Sequence, residues 1–241
     1  MPDPQFAEAR LARIYDAFEG ARDDLDHYEA LIAELGGASV LDVGCGTGSL
    51  AVRLAARGYQ VVGVDPAAAS LAVAEAKPGA EQVRWIEGTA AMLPAGLSAD
   101  ISIMTGNVAM VFADEADWAA TLEGLHRSMR PGGRFVFETR DPAQQQWLRW
   151  NRHETQQTLD IEGEGVVDQW IDVEVVDLDY VEFVGEYRFA DGTEYRSRSR
   201  LWFREQPTLN DSLLRAGFRV DEIRDAPDRP GLEWVYVTTR L

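Results

Sequence analysis

The stretch Val40-Leu41-Asp42-Val43-Gly44-Cys45-Gly46-Thr47-Gly48-Ser49-Leu50, with Val61-Val62-Gly63-Val64-Asp65 behind it, most constrains what this chain can fold into. A short β-branched run ends in a glycine-rich turn. A helical segment follows, then a second apolar run that ends in an acid. That order reads as one β–α–β unit. The glycines let the backbone pass close to a ligand, and the helix start presents free N–H groups. Asp65, 17 residues after Gly48, stands at the tip of the second strand. There a carboxylate can accept two hydrogen bonds from a ribose diol, so the unit suits a nucleoside.

The glycine spacing narrows the choice of nucleoside. A dinucleotide fingerprint reads G-x-G-x-x-G. Here Gly44, Gly46 and Gly48 read G-x-G-x-G, and Ser49 stands where the third dinucleotide glycine belongs. The acid before the loop, Asp42, is outside that fingerprint too. Loop, preceding acid and strand-end acid together resemble motif I of the class I S-adenosylmethionine-dependent methyltransferases, (D/E)-x-G-x-G-x-G.

The rest of the chain alternates in the same way. Residues 5–35 read as two helices, closed by Gly36-Gly37. Strands are expected at 39–43, 60–64, 83–86, 100–104 and 134–139. Helices are expected at 48–57, after Pro66 to Ala76, and at 115–130. Pro131-Gly132-Gly133 reads as a tight turn into the fifth strand. Alternating strands and helices argue a parallel sheet covered on both faces. The pattern changes after Pro142. Residues 166–204 alternate with period two, and Asp191-Gly192-Thr193 reads as a three-residue hairpin loop. That loop pairs Phe189 with Tyr195, Phe183 with Leu201, Val181 with Phe203 and Glu186 with Arg198. The Arg196, Arg198, Arg200 stripe reads as a solvated face paired with Glu182 and Glu186. A helix over 207–216 and strands over 218–223 and 234–239 close the chain, the strands antiparallel at the sheet edge.

The resemblance covers residues 36–140 and the closing elements at 207–240. It implies an α/β, Rossmann-like seven-stranded mixed sheet of order 3-2-1-4-5-7-6, with an N-terminal helical cap and an antiparallel β insertion after strand five. The expected division is a cap over 1–37, a binding core over 38–142, an insertion over 143–206 serving as acceptor lid or dimer surface, and core elements over 207–241. The implied cofactor is S-adenosyl-L-methionine, with S-adenosyl-L-homocysteine as product and no metal. By the resemblance, Asp42, Gly44, Cys45 and Gly46 line its methionine part, largely through backbone groups, and Asp65 holds the ribose; Thr47, in the same loop, is a further cofactor-binding candidate. Pro66 lies against the adenine. Gly88-Thr89-Ala90 matches the family's adenine-contacting G-D-A turn, with Thr89 in place of the acid and the Ala90 N–H still able to serve. Met104 and Thr105 end the fourth strand, among cofactor and substrate contacts.

Composition excludes several classes. The chain has 241 residues and a net charge of −18, from 23 basic and 41 acidic groups. Such a surface repels phosphate backbones, so nucleic-acid partners are not expected. No run of 18 apolar residues appears, so no membrane span is expected. The start, Met1-Pro2-Asp3-Pro4-Gln5, does not read as a signal peptide. One cysteine, Cys45, precludes a disulfide framework and fits a cytoplasmic setting. Inside the glycine loop it reads as a small tolerated residue rather than a nucleophile. Lys77 is the single lysine. Residues 151–205 carry six basic and 14 acidic groups, which suits a neutral or cationic acceptor.

Methyl transfer from a sulfonium needs alignment and water exclusion more than metal assistance. A strong cofactor site and a weakly marked acceptor site are therefore expected. Asn107, just past strand four, is either an acceptor contact and catalytic group or a left-handed turn residue after Gly106. His27, on the second helix, is a base or a surface histidine. Tyr15 is core or cofactor contact, and Tyr28 lies on the same cap. Glu138 and Arg140 leave strand five as substrate-binding candidates, and Arg140 has the alternative of pairing with Glu138 or Asp141. His126 reads as structural, and His153 as facing the pocket. Trp147 and Trp150 wall the acceptor pocket or belong to the core. The function read here is methyl transfer to a small-molecule N or O acceptor. The alternatives are a non-catalytic S-adenosylmethionine-binding protein and a nucleotide-dependent oxidoreductase, and a homodimer through the insertion is also open.

Overall fold

The computed structural model describes residues 2–112, 114–177 and 179–241. Three helices open the chain: α1 (Pro4–Ala7), α2 (Ala9–Glu19) and α3 (Asp24–Leu35). Gly36 stops α3 at φ +69°, a left-handed conformation that glycine adopts freely. Then come β1 (Ser39–Val43), α4 (Ser49–Ala56), β2 (Gln60–Asp65), α5 (Ala68–Glu75), β3 (Val83–Glu87) and β4 (Ala99–Met104). Next are α6 (Glu115–Ser128) and β5 (Met129–Arg140), and Asp114 caps α6 by accepting from the N–H groups of Ala116 and Asp117. The insertion holds α7 (Arg152–Thr155), β6 (Gln157–Ile161), β7 (Gly165–Asp177), β8 (Tyr180–Phe189) and β9 (Glu194–Trp202). The chain returns through α8 (Gln206–Arg215), β10 (Phe218–Asp225) and β11 (Glu233–Arg240).

The main sheet runs β10-β11-β5-β4-β1-β2-β3, with β11 antiparallel to both neighbours. Renumbered, this is the expected 3-2-1-4-5-7-6. Its central strands are apolar on both faces because helices cover both. On one face Leu41, Val43, Met104, Phe135, Phe137 and Tyr236 pack against Trp118, Leu122 and Leu125 of α6 and Leu209 and Leu213 of α8. On the other, Val40, Ile101, Ile103, Val136 and Val235 meet Leu25, Tyr28 and Ile32 of α3 and Leu50 and Leu54 of α4. Asp100 pins the far end of the sheet, accepting from the N–H groups of Ala38 and Ser39 and pairing with Arg130.

The second sheet, β6-β7-β8-β9, is antiparallel throughout. Its hairpin register differs from the expected one. Tyr187 pairs with Tyr195, Val181 with Leu201 and Glu186 with Arg196, two residues from the predicted partners. The loop is centred one residue earlier, since the Phe189 N–H donates to the Thr193 carbonyl and Gly192 takes the left-handed position at φ +87°. A two-residue slip keeps every side chain on its face, so the apolar and charged faces are as expected. Arg196 pairs with Glu186 and Glu174, Arg198 with Glu174, and Arg200 with Glu182. Pro131-Gly132-Gly133 does not precede the fifth strand, as expected, but lies within it. β5 already pairs with β4 at Met129, and the turn is an irregularity inside that strand before the ladder resumes at Arg134.

The inner face of the insertion closes on the cap. Val167, Tyr187 and Phe189 pack with Leu11 and Ile14 of α2. Arg10 pairs with Glu164 and Asp191 and lies 3.8 Å over the Phe189 ring. A second cluster, Met110, Val181 and Phe203 with Trp147 and Trp150, joins the insertion to the turn after β4.

Candidate functional site

The glycine loop between β1 and α4 is shaped by three left-handed residues with different surroundings. A Cβ at Gly44 would meet Val108 at 2.6 Å, and one at Gly48 would meet Trp85 at 2.5 Å. Those glycines admit neighbouring protein. Gly46, at φ +52°, has nothing within 4 Å of its Cβ position, so the middle of the loop faces open space. The Gly44 and Cys45 N–H groups bond to the Val64 carbonyl, which holds the loop over the end of β2.

Asp65 is buried at that end. Its Oδ2 accepts from the Gly46 N–H at 2.9 Å and its Oδ1 from the Ala67 N–H at 2.8 Å. A carboxylate has about four lone-pair sites, so two remain for a diol. Burial raises its pKa, and the two backbone donors oppose that rise. Asp42 is 2% exposed, and burial, with the charge of Asp65, pushes it up to about 7. The same surroundings hold the Cys45 thiol well above its ordinary value, so it is protonated at neutral pH and not an activated nucleophile. Pro66 and Thr89 are exposed beside this floor, and Ala90 is buried. These residues fit a nucleoside with a charged tail: an open glycine, a strand-end diol acceptor and a second acid near the loop.

The cap latches to the loop. The Thr47 hydroxyl donates to Asp16 Oδ1 at 2.5 Å. Lys77 meets Asp16 Oδ2 at 2.6 Å and donates to the Ser49 hydroxyl at 2.8 Å. The lone lysine thus ties α2 to the start of α4. Asp16 carried no sequence signal, because a helix acid next to Tyr15 looks like any solvated residue. Tyr15 is half-buried with its ring 5.6 Å from Phe6, and burial raises its pKa. Arg22, at φ +53°, bonds to Asp24, and its charge reaches Asp42.

A buried polar group forms at the ends of β4, β5 and β11. Asn107 is left-handed at φ 62° and 5% exposed. Its N–H donates to Glu138 Oε1 at 2.8 Å, and its Nδ2 lies 3.4 Å from both Glu233 carboxylate oxygens. That contact sets the amide's orientation and leaves Oδ1 buried with no hydrogen-bond partner. Tyr28 OH donates to Glu138 Oε2. Burial, then the charge of Glu233, raises Glu138 to about 7. Glu233 is neutralised from the other side by Arg229 at 2.9 Å and Arg140 at 3.6 Å. Arg140 also donates to Gln146 Oε1 and lies 5.2 Å from the Trp150 ring. Its charge partner is therefore Glu233, neither Glu138 nor Asp141. Because Gly44 admits Val108, this group is adjacent to the glycine loop.

Of the other candidates, Met104 is fully buried and Thr105 half-buried at the end of β4. His27 is exposed on α3 and is not brought to this group, whereas its neighbour Tyr28 is. His126 stacks edge-on against Phe218 on the outer face, and His153 is exposed on α7. Trp147 and Trp150 pack on Phe203. Glu233 and Arg229 were missed, since strand-edge charges in a sequence look solvated. Among the described residues no group of three or more His, Cys, Asp or Glu side chains could hold a metal ion. Nor, among them, is any helix long and apolar enough to cross a membrane.

Known proteins resemble this chain in sequence and in fold. Residues 40–133 match the family model described as a methyltransferase domain. The chain is 35% identical over 147 residues to the cypemycin N-terminal methyltransferase of a Streptomyces species, covering 60% of each. It spans about three fifths of the length of that relative and of the ubiquinone/menaquinone C-methyltransferase of Rubrivivax gelatinosus. In fold it is similar to the CcbJ methyltransferase of Streptomyces caelestis, with 21% identity, TM-score 0.75 and coverage of 94% of this chain and 96% of that one. It is similar also to CalS10, an amino pentose methyltransferase of Micromonospora echinaspora, with 19% identity, TM-score 0.72 and coverage of 95% and 97%. With the glycine loop, the two strand-end acids and the sheet order already in place, residues 40–133 are identified as a methyltransferase domain, and the chain shares the fold of these solved methyltransferases.

Proposed function

We propose that this chain is an enzyme that moves a methyl group from S-adenosylmethionine to a small neutral or cationic acceptor, with nitrogen as the favoured nucleophile. The observation that carries the reading is adjacency: the open glycine loop with Asp42 and Asp65 borders a buried Asn107–Glu138–Tyr28 group. Bound S-adenosylmethionine supplies an activated methyl whose departure leaves a neutral thioether. Gly44, Cys45, Gly46 and Thr47 hold the methionine part, Asp42 faces its charged tail, and Asp65 accepts from the ribose hydroxyls. Pro66, Thr89 and Ala90 border the base, and Met104, Thr105 and Tyr15 close around the centre.

The acceptor side follows from hydrogen-bonding capacity. Asn107 Oδ1 is a buried acceptor without a partner, suited to an N–H or O–H donor. It orients the nucleophile while its lone pair faces the methyl. The nucleophile must lose one proton for the methyl it gains. Glu138, held near neutrality, has the proton affinity for that task at physiological pH. Arg140, engaged with Glu233 and Gln146, positions the strand end. The insertion's surplus of acids favours amines over carboxylates. An N-terminus and an amino pentose, named for two similar proteins, both bear amines. A lone cysteine and the lack of a membrane-crossing helix among the described residues support a cytoplasmic enzyme. Val175 and Val176, exposed at the end of β7, support the insertion as a contact for a second copy, which sedimentation would test.

The test has two stages. Calorimetric titration with S-adenosylhomocysteine and, separately, NADH should give tight binding of the first alone. An amine panel should then release S-adenosylhomocysteine, and a matched carboxylate or phosphate panel should not. Preference for NADH would overturn the cofactor reading. Binding without turnover on any acceptor would favour a non-catalytic binder.

A further inference from the structure

Arg204 stands apart from the Glu138 group. It lies two residues past β9, where the chain leaves the insertion, and is 2% exposed. One of its amino groups, Nη2, donates to the Ala109 carbonyl. The indoles of Trp118 and Trp202 flank the guanidinium at 4.3 and 4.5 Å. Those contacts engage the π-faces of the cation and do not satisfy its N–H groups. Nε and Nη1 are without a hydrogen-bond partner. Among the described residues no carboxylate forms an ion pair with Arg204, although the chain carries 41 acids. Glu115, whose charge reaches Arg204, is paired with Arg215.

Two further buried donors stand nearby. Trp202 Nε1–H belongs to the indole against Arg204, and it has no partner. Tyr236 Oη also has none, and its charge interaction with Arg204 puts the two within electrostatic reach. An unpaired guanidinium and two neutral donors in one apolar setting are costly unless an acceptor meets them. The polarity is the reverse of the Glu138 group. Tyr236 points to the α6 face of the sheet and Glu138 to the α3 face, so the two places are distinct.

We propose that Arg204 Nε and Nη1, Trp202 Nε1 and Tyr236 Oη form an anion-binding site for a small oxyanion, a carboxylate or a phosphate, between the insertion and the α6 face of the core. The oxyanion neutralises the buried charge and fastens the exit of β9 to the turn after β4, since Arg204 already holds Ala109, two residues beyond Asn107. This does not depend on the methyl-transfer reading.

The test is thermal unfolding of the full chain in rising sodium acetate or sodium phosphate, against sodium chloride of equal ionic strength. The expected result is a saturable rise in Tm with one of the two oxyanions beyond that with chloride, absent in Arg204→Met. Acetate or phosphate as the effective ion distinguishes a carboxylate from a phosphoryl ligand. Trp202→Phe and Tyr236→Phe each remove one donor and keep an aromatic ring. Each should weaken the anion-dependent rise in Tm several-fold, and they carry the test should Arg204→Met fail to fold. No saturable response to either ion, or a response unchanged in these variants, would overturn the proposal. So would a loss of stability in Arg204→Met with no anion dependence in the wild type, which marks a purely structural cation between two indoles.

Discussion

Asp65 fastens the glycine loop through Gly46 and the start of the next turn through Ala67, and each of its oxygens accepts only one of those bonds. Asp65→Ala should therefore cost about 1.5–3 kcal/mol in S-adenosylhomocysteine binding, roughly 10- to 150-fold in Kd, measured by calorimetry. Unchanged affinity would remove Asp65 from the cofactor site. Asp42 and Glu138 are both raised to about 7, from ordinary values of 3.8 and 4.5. A raised acid holds its proton more tightly when folded, so stability falls as pH rises from the ordinary value toward the raised one and levels off above it. Urea denaturation between pH 4.5 and 8 should show this fall, with a shallower slope in Glu138→Gln. Asp191, lowered to about 2, acts in a separate window below 3.8. Turnover should rise with pH through about 7 in the wild type and lose that rise in Glu138→Gln. Asp65 and Asp42 were legible in the sequence because motif spacing marks them. The partners of Glu138 were not, because Tyr28 and Glu233 lie far from it along the chain.

At the scale of elements, glycines divide by what surrounds them. Gly46 faces open space, while Gly124 in the middle of α6 lies against the 90–92 turn, where a Cβ would sit 2.1 Å from the Ala90 carbonyl oxygen. Gly124→Ala should destabilise the fold by about 1–3 kcal/mol or more despite the better helix propensity of alanine, seen as a lower urea midpoint. Gly46→Ala should cost only about 1–2 kcal/mol for the left-handed backbone, yet weaken S-adenosylhomocysteine binding more than tenfold, because its Cβ enters the ligand's space. Equal effects of the two variants on stability and binding would contradict the division. Gly46 sits in a readable motif. Gly124 sits in a helical stretch where nothing local announces the neighbour that requires it. The hairpin shows the same limit. Alternation decided which side chains share a face, and only the loop geometry at Gly192 chose between registers two residues apart.

For the whole molecule, cap, core and insertion act as one closure. Asp16 joins α2 to Thr47 and Lys77, and Arg10 joins it to Glu164 and Asp191 across a shared apolar patch. Asp16→Ala should leave the core intact but speed limited proteolysis within residues 1–20 and weaken S-adenosylhomocysteine binding several-fold. A wild-type digestion pattern would show that the latch does not hold the cap. The sequence by itself determined the βα order, the glycine loop and its two acids, because each is written in local periodicity or in a motif shorter than 30 residues, and the resemblance those motifs carry implied the seven-stranded sheet. Only the tertiary structure decided that Tyr28, Asn107, Glu138 and Glu233 share one buried group, that the lone lysine ties the cap to the loop, and that Arg204 stands between two indoles. Those pairings join residues far apart in the chain, and the burial that shifts their proton affinities exists only once the elements have packed.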